Sequence, residues 1–142
     1  PDISISTDLI VGFPGETDQD FQDSLDLFKE IKFNMAFIAQ FSCRPGTAAA
    51  ELKDDVTKPE KIRRDKKITE ILKITAQEHN NKLVNTTQKV LVDKYRKSHW
   101  LGRTEGMVTV KFIAPKTKRL TGKFVNIKIT KAEAFALTGT LV

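Results

Sequence analysis

Two groups of residues in this 142-residue chain carry types and spacings that could do chemistry. The first is the turn Gly12-Phe13-Pro14-Gly15, with Arg44 further along. Glycine admits a positive φ or a close approach to the backbone, and proline cannot continue a central strand. A Gly-Phe-Pro-Gly break after the apolar run Leu9-Ile10-Val11 is therefore a place where a small ligand can meet the main chain. Arg44 offers a forked cation suited to a carboxylate or a phosphate. Its guanidinium is equally suited to a structural pair with a nearby carboxylate or to strand-end carbonyls. The turn is not a phosphate-binding P-loop, because the Gly-Lys-Ser/Thr ending is missing. The second group is cationic: Arg103, Lys111, Lys116, Lys118, Arg119 and Lys123. Lys116 to Arg119 follow Pro115 in a turn, where long side chains can reach a phosphate backbone. Trp100, Tyr95 and Phe124 are candidates to stack on bases. Phe124 is as well suited to packing between domains.

Other polar residues carry less. Asp18, Asp20 and Asp23 crowd the start of an expected helix, where its dipole favours negative charge, so capping explains them without acid–base chemistry. His79 and His99 have no second His or Cys at ligand spacing and read as structural. Cys43 is the one cysteine, which rules out an internal disulfide and fits a reducing compartment. The longest apolar runs fall far short of the roughly 20 residues needed to span a bilayer. The N-terminus, Pro1-Asp2-Ile3-Ser4, has no initiator Met and no signal pattern, and reads as a cut inside a domain.

The formal net charge of +6 hides an asymmetry. Residues 1–82 carry 12 Lys and Arg against 15 Asp and Glu, whereas residues 83–142 carry 12 against 3, a net of +9. A short segment with that balance prefers polyanions, and its footprint favours RNA over a merely solvated basic surface.

The elements that must position these groups follow from periodicity. Ile3 to Val11 predicts a first, buried strand. Thr17 is a helix N-cap with Asp20 in capping-box position. Phe21, Leu25, Phe28 and Ile31 or Lys32 then mark the stripe of a helix over 18–32, with Leu27 widening it and Asn34 ending it. Ala36 to Ser42 is a second strand, so the first two strands must be parallel, and the loops after them leave the same edge. Two strands cannot make a sheet core alone, so further strands are expected upstream of Pro1 or from another chain. Thr57-Lys58-Pro59-Glu60 starts a long helix to about Leu83, its inner face at Ile62, Ile68, Ile71, Leu72, Thr75, Ala76 and His79. The cluster Lys61, Arg63, Arg64, Lys66 and Lys67, interrupted by Asp65, is expected to be a solvated face. From Gln88 the period becomes that of strands: 89–93, 107–112, 123–130 and 135–142. Val125, Ile127 and Ile129 should point inward. Trp100 falls in a loop. Short strands with basic turns suggest a small antiparallel barrel of OB-like character.

Several stretches carry a resemblance. Thr7-Asp8-Leu9-Ile10-Val11-Gly12-Phe13-Pro14-Gly15-Glu16-Thr17 resembles the late-barrel segment of the radical SAM methylthiotransferases, the MiaB and RimO group. Phe41-Ser42-Cys43-Arg44-Pro45-Gly46-Thr47-Ala48-Ala49 resembles that family's next strand and loop. Gly102-Arg103-Thr104, Gly122-Lys123-Phe124-Val125 and Ile127 to Thr130 resemble the appended TRAM domain. The match runs in order over nearly the whole chain. It implies an α/β partial barrel, the last βα units of a radical SAM TIM-like barrel, over 1–84 with a linker helix. A small all-β antiparallel OB-like barrel, the TRAM RNA-binding domain, is implied over 85–142.

The resemblance also implies an activity for a full-length protein of MiaB-like type. It would add a methylthio group to C2 of an N6-modified adenosine beside the tRNA anticodon, using S-adenosyl-L-methionine (SAM) and 4Fe-4S clusters. Ile10 and Gly12 would lie near the adenine of SAM, Phe13 could face the pocket, and Arg44 could hold the carboxylate of SAM's methionine moiety. Arg103, Lys111, Lys116, Lys118, Arg119, Lys123 and Trp100 would meet the anticodon stem-loop. The family holds its radical SAM cluster with a CxxxCxxC triad, because such clusters require thiolates. One cysteine cannot do this, so the fragment is expected to be inactive alone. A cytoplasmic monomer without membrane contact is expected. The alternatives are a ribosomal-protein methylthiotransferase of the same family and a non-catalytic RNA-binding module.

Overall fold

A computed structural model describes residues 3–142; Pro1 and Asp2, which open the expected partial barrel and its expected internal cut, lie outside the described residues. The chain divides into two compact units, Ile5–Thr75 and Ala76–Val142, the second also taking in Ile3 and Ser4.

In the first unit, β1 (Ser6–Val11) and β2 (Met35–Gln40) pair in parallel, joined through α1 (Asp18–Ile31). Alternation along the strands gives the sheet two unlike faces. Leu9, Val11, Ala36 and Ile38 share a core with Phe21, Leu25 and Phe28 of α1, Phe33, and Ile68 and Leu72 of α2 (Lys58–Asn81). On the opposite face Ile10, Met35 and Phe37 are 54%, 40% and 66% exposed. The expected buried strand is thus buried at Val11 but not at Ile10.

Thr17 caps α1 as a capping box: its hydroxyl accepts from Asp20 N–H at 3.1 Å, and the Asp20 carboxylate accepts from Thr17 N–H at 2.9 Å. The Thr17 hydroxyl and then its N–H hold the Asp20 carboxyl below its usual range. The helix ends at Lys32, in the left-handed region at φ 54°, and not at Asn34. Asn34 instead brackets the start of β1, donating its N–H to Ile5 O and accepting from Ile5 N–H on its side chain, each at 3.0 Å.

Helix α2 starts after Thr57, as its capping signal implies, although the Thr57 hydroxyl meets Glu60 N–H only at 3.4 Å. Its buried stripe is Lys61, Arg64, Ile68, Leu72, Thr75, Ala76 and Asn80. Two of the cations expected on a solvated face are therefore inside, at 5% exposure for Lys61 and 4% for Arg64. Their spacing continues that of the hydrocarbons, and both are neutralised by carboxylates.

The second unit is a closed five-stranded barrel, with order β3 (Thr87–Arg96), β4 (His99–Thr104), β5 (Thr109–Ile113), β7 (Ala136–Leu141) and β6 (Phe124–Glu133), and β6 pairs with β3 to close it. It is not purely antiparallel as expected, because β5 and β7 run parallel. Register shifts at Val92/Lys94 and Ile129/Lys131 bend the two long strands, which a small barrel needs in order to close. Val90, Val92, Trp100, Val110, Phe112, Ile127, Ile129 and Leu137 fill the interior. Trp100 belongs to a strand, β4, and not to the expected loop.

Gly102 lies where β4 crosses closely over β3: a Cβ there would collide with the Leu91 carbonyl and the Val90 side chain. Since backbone cannot yield as a side chain can, Gly102→Ala is expected to cost about 1–3 kcal/mol. The lone tryptophan, buried in this barrel, reports the loss as a lower urea midpoint in its fluorescence.

Candidate functional site

The two strands of the first unit end together, Val11 opposite Gln40, so the turn at 12–16 and the loop at 43–47 leave one edge of the sheet. The turn is closed by Glu16 N–H donating to Phe13 O at 2.9 Å, with Gly12 and Gly15 at φ 70° and 85°. Gly12 N–H donates to the Glu16 carboxylate, which also accepts from Arg64 at 2.7 Å. Arg64 further donates to Glu16 O at 3.0 Å, to Asp18 at 3.0 Å and to Glu60 at 2.8 Å. A single buried guanidinium thus fixes the turn, the start of α1 and the first turn of α2 in one geometry.

Lys61 supports the other side. Its ammonium meets both Asp54 carboxylate oxygens at 2.7 Å, reaches Phe41 O at 3.4 Å and lies 5.1 Å from the Phe41 ring centroid. Gly15 N–H donates to Asp55 at 2.8 Å, and this bond holds the Asp55 carboxyl below its ordinary value. A Cβ on Gly12 would strike the Lys61 side chain. The close approach that calls for glycine at position 12 is therefore made by the chain itself.

At this edge Phe13 stands edge-on to Phe41 with ring centroids 5.1 Å apart, and Ile10 and Phe13 are both exposed. Arg44 is exposed, and among the described residues its guanidinium has no hydrogen-bond or ion-pair partner. The structural pair considered for it is absent from that set. Cys43 is exposed, and among the described residues no group of three or more His, Cys, Asp or Glu is arranged to hold a metal ion.

In the barrel unit, Arg103, Lys111, Lys116, Lys118, Arg119 and Lys123 are all exposed. Lys116 to Lys118 form a 3-10 turn that Arg119 ends at φ 45°. Arg103 projects from β4 and meets Asp93 at 3.3 Å. Trp100 must be removed from the stacking candidates. It is 2% exposed, packs 5.0 Å from Tyr95, and donates its indole N–H to Ala114 O at 3.1 Å. Phe124, at 63% exposure, takes its place. It opens β6 opposite Leu91, and Lys89 holds its ammonium 4.8 Å from the ring centroid. Lys89 and Leu91 were missed as site residues, and their outward alternation with buried Val90 and Val92 was the available signal.

Comparison with known proteins bears on both units. Residues 81–142 match the TRAM domain family, and form a TRAM domain. Over 99% of its length the chain is 43% identical to the tRNA-2-methylthio-N(6)-dimethylallyladenosine synthase of Alcanivorax borkumensis. Over its full length it is 44% identical to proteins of the same name from Francisella tularensis subsp. novicida and subsp. tularensis. The chain spans about a third, 32%, of the length of each of these relatives.

The Arg64 cluster should show in acid. Hydrogen bonds from Arg63 and then Arg64 lower the Glu60 carboxyl from its ordinary 4.5 to about 2. A depressed folded pKa gives stability that is complete above the unfolded value and is lost as pH falls through the folded one. Glu60→Gln is therefore expected to lower stability at pH 7 by about 1 kcal/mol, the screened value for a partly exposed pair. That difference should shrink between about pH 4.5 and 2, as read by urea unfolding followed by helix circular dichroism.

Proposed function

We propose that this chain is the C-terminal part of a radical SAM tRNA methylthiotransferase, supplying the domain that grips tRNA and one wall of the SAM pocket. The whole protein would place a methylthio group at C2 of an N6-modified adenosine near the anticodon. The observation that carries the reading is the relatedness of the entire chain, at 43–44% identity, to proteins named for that modification. The TRAM domain and the net +9 of residues 83–142 agree with RNA as substrate in preference to a ribosomal protein.

The first unit supports the partial-barrel reading by its unlike faces. A parallel pair with helices on one side and Ile10, Met35 and Phe37 bare on the other suits strands whose second face looks into a barrel. In such barrels ligands sit at the C-terminal ends of the strands, which is the edge that carries Phe13 and Arg44. When bound, SAM supplies the methyl group and the radical of this chemistry. The residues present suit it in part: Ile10 and Phe13 offer apolar surface, and Arg44, which has no partner among the described residues, suits its carboxylate. Gly12 would shape the wall through Lys61. An iron–sulfur cluster does not fit this chain, whose one cysteine is Cys43, and its ligands would come from elsewhere in a full-length protein. The tRNA anticodon stem-loop is the proposed partner, and a monomer in the cytoplasm the proposed state. No helix among the described residues is long and apolar enough to cross a membrane.

Disrupting the gene for this chain is expected to remove a 2-methylthio-adenosine derivative from cellular tRNA, read by nucleoside mass spectrometry. Its persistence would overturn the proposal. Binding of the chain to an anticodon stem-loop should weaken steeply with salt, through release of counterions from neutralised phosphates. Lys118→Ala with Arg119→Ala is expected to weaken binding and flatten the slope of log K against log salt by roughly 1 to 2.

A further inference from the structure

We propose that the outer surface of β6, β3 and β4 around Phe124 is a stacking site for an unpaired base of an RNA loop. The proposal rests on the RNA-binding reading and deepens it, because a base-stacking site selects looped over double-stranded RNA.

Phe124, Leu91 and Arg103 lie in one row across three strands, since Leu91 pairs with Phe124 on one side and with Arg103 on the other. Directly opposed residues of an antiparallel ladder share a face. The row is therefore a continuous outward surface with an aromatic ring, an apolar side chain and a guanidinium side by side. Phe124 and Leu91 are 63% and 39% exposed, and neither belongs to the barrel core. Lys89, two residues before Leu91 on the same face, sits over the ring, and Lys123 adjoins it in sequence. Asp93 holds Arg103 beside the row.

Phe124 and Leu91 together form an exposed apolar patch that a ligand can cover. The surrounding charge says which. A protein interface is depleted of charge at its centre, whereas here Lys89 and Arg103 flank the apolar pair. Cations beside a bare aromatic complement a ligand that presents a π face and a phosphate together, as a single-stranded nucleotide does. The base faces of an A-form duplex are already stacked on one another, so duplex RNA can use the cations but not the ring.

The test uses the full chain, a hairpin RNA with an unpaired loop and a blunt duplex RNA of equal length, by fluorescence anisotropy at fixed salt. Phe124→Leu keeps apolar bulk and removes the π face, and Phe124→Tyr restores it. Phe124→Leu is expected to weaken hairpin binding roughly 5- to 160-fold, the range of one base–aromatic stack. Duplex binding and the hairpin salt slope should be unchanged, and Phe124→Tyr should bind as the parent does. Trp100 emission checks that the barrel is intact. Hairpin binding unaltered in Phe124→Leu, or hairpin and duplex weakened alike, overturns the stacking site while the RNA reading stands. A parent chain that binds neither RNA overturns both.

Discussion

The first unit depends on a guanidinium that has been taken out of water. Arg64 is 4% exposed, yet Glu16, Asp18 and Glu60 stand around it at hydrogen-bond distance. Burying a charge is costly, and the cost is offset only when its donors are satisfied by well-placed acceptors. That condition forces the turn after β1, the cap of α1 and the start of α2 into mutual register. A small α/β unit with only two strands has little sheet to organise it. Here one polar cluster ties the turn and both helix starts together. The Gly-Phe-Pro-Gly turn is consequently held from behind, by Arg64 and Lys61, and its exposed side is left to Phe13.

The barrel unit is organised by the opposite economy. Its interior is hydrocarbon plus one indole, whose N–H is satisfied by Ala114, and the Thr104 hydroxyl, which accepts from Val108 N–H; its charge is almost wholly outside. Lysine and arginine outside a closed barrel add little to stability. They do set the potential of the surface, and with 12 of them against 3 acids residues 83–142 are predominantly positive. Affinity for a polyanion is thus separable from folding in this unit, which is why surface substitutions there can be read as binding effects.

The legible parts of the sequence were those where a single period dominates. Phe21, Leu25 and Phe28 mark α1, Thr17 and Asp20 mark its cap, and the alternation at 124–129 marks β6. The illegible parts are where the buried residue is not an obvious hydrocarbon. Lys61 and Arg64 occupy inward positions of α2, but as cations they looked solvated. In β4 the inward residues are Trp100, Gly102 and Thr104, and only the first looks apolar, so alternation does not reveal the strand. Ile10 failed in the other direction: a β-branched residue in an apolar run still points away from the helices when its neighbours Leu9 and Val11 point toward them. The parallel contact of β5 and β7 had no local signature, since it joins segments distant in sequence. Phe124 could be placed on the outer face by alternation, but its exposure and its lysine neighbour are products of the folded barrel.

The placement of β7 between β5 and β6 has a consequence for how the domain is made. On a ribosome, which delivers the chain from its N-terminal side, β3 to β6 emerge first and can pair only as an open ribbon, β5-β4-β3-β6. That ribbon has two unsatisfied edges, and a single segment, Ala136–Leu141, covers both at once. The nascent domain therefore stays adhesive until its final strand clears the exit tunnel, and an early stop codon before Ala136 would leave a sheet with both margins open to other polypeptides.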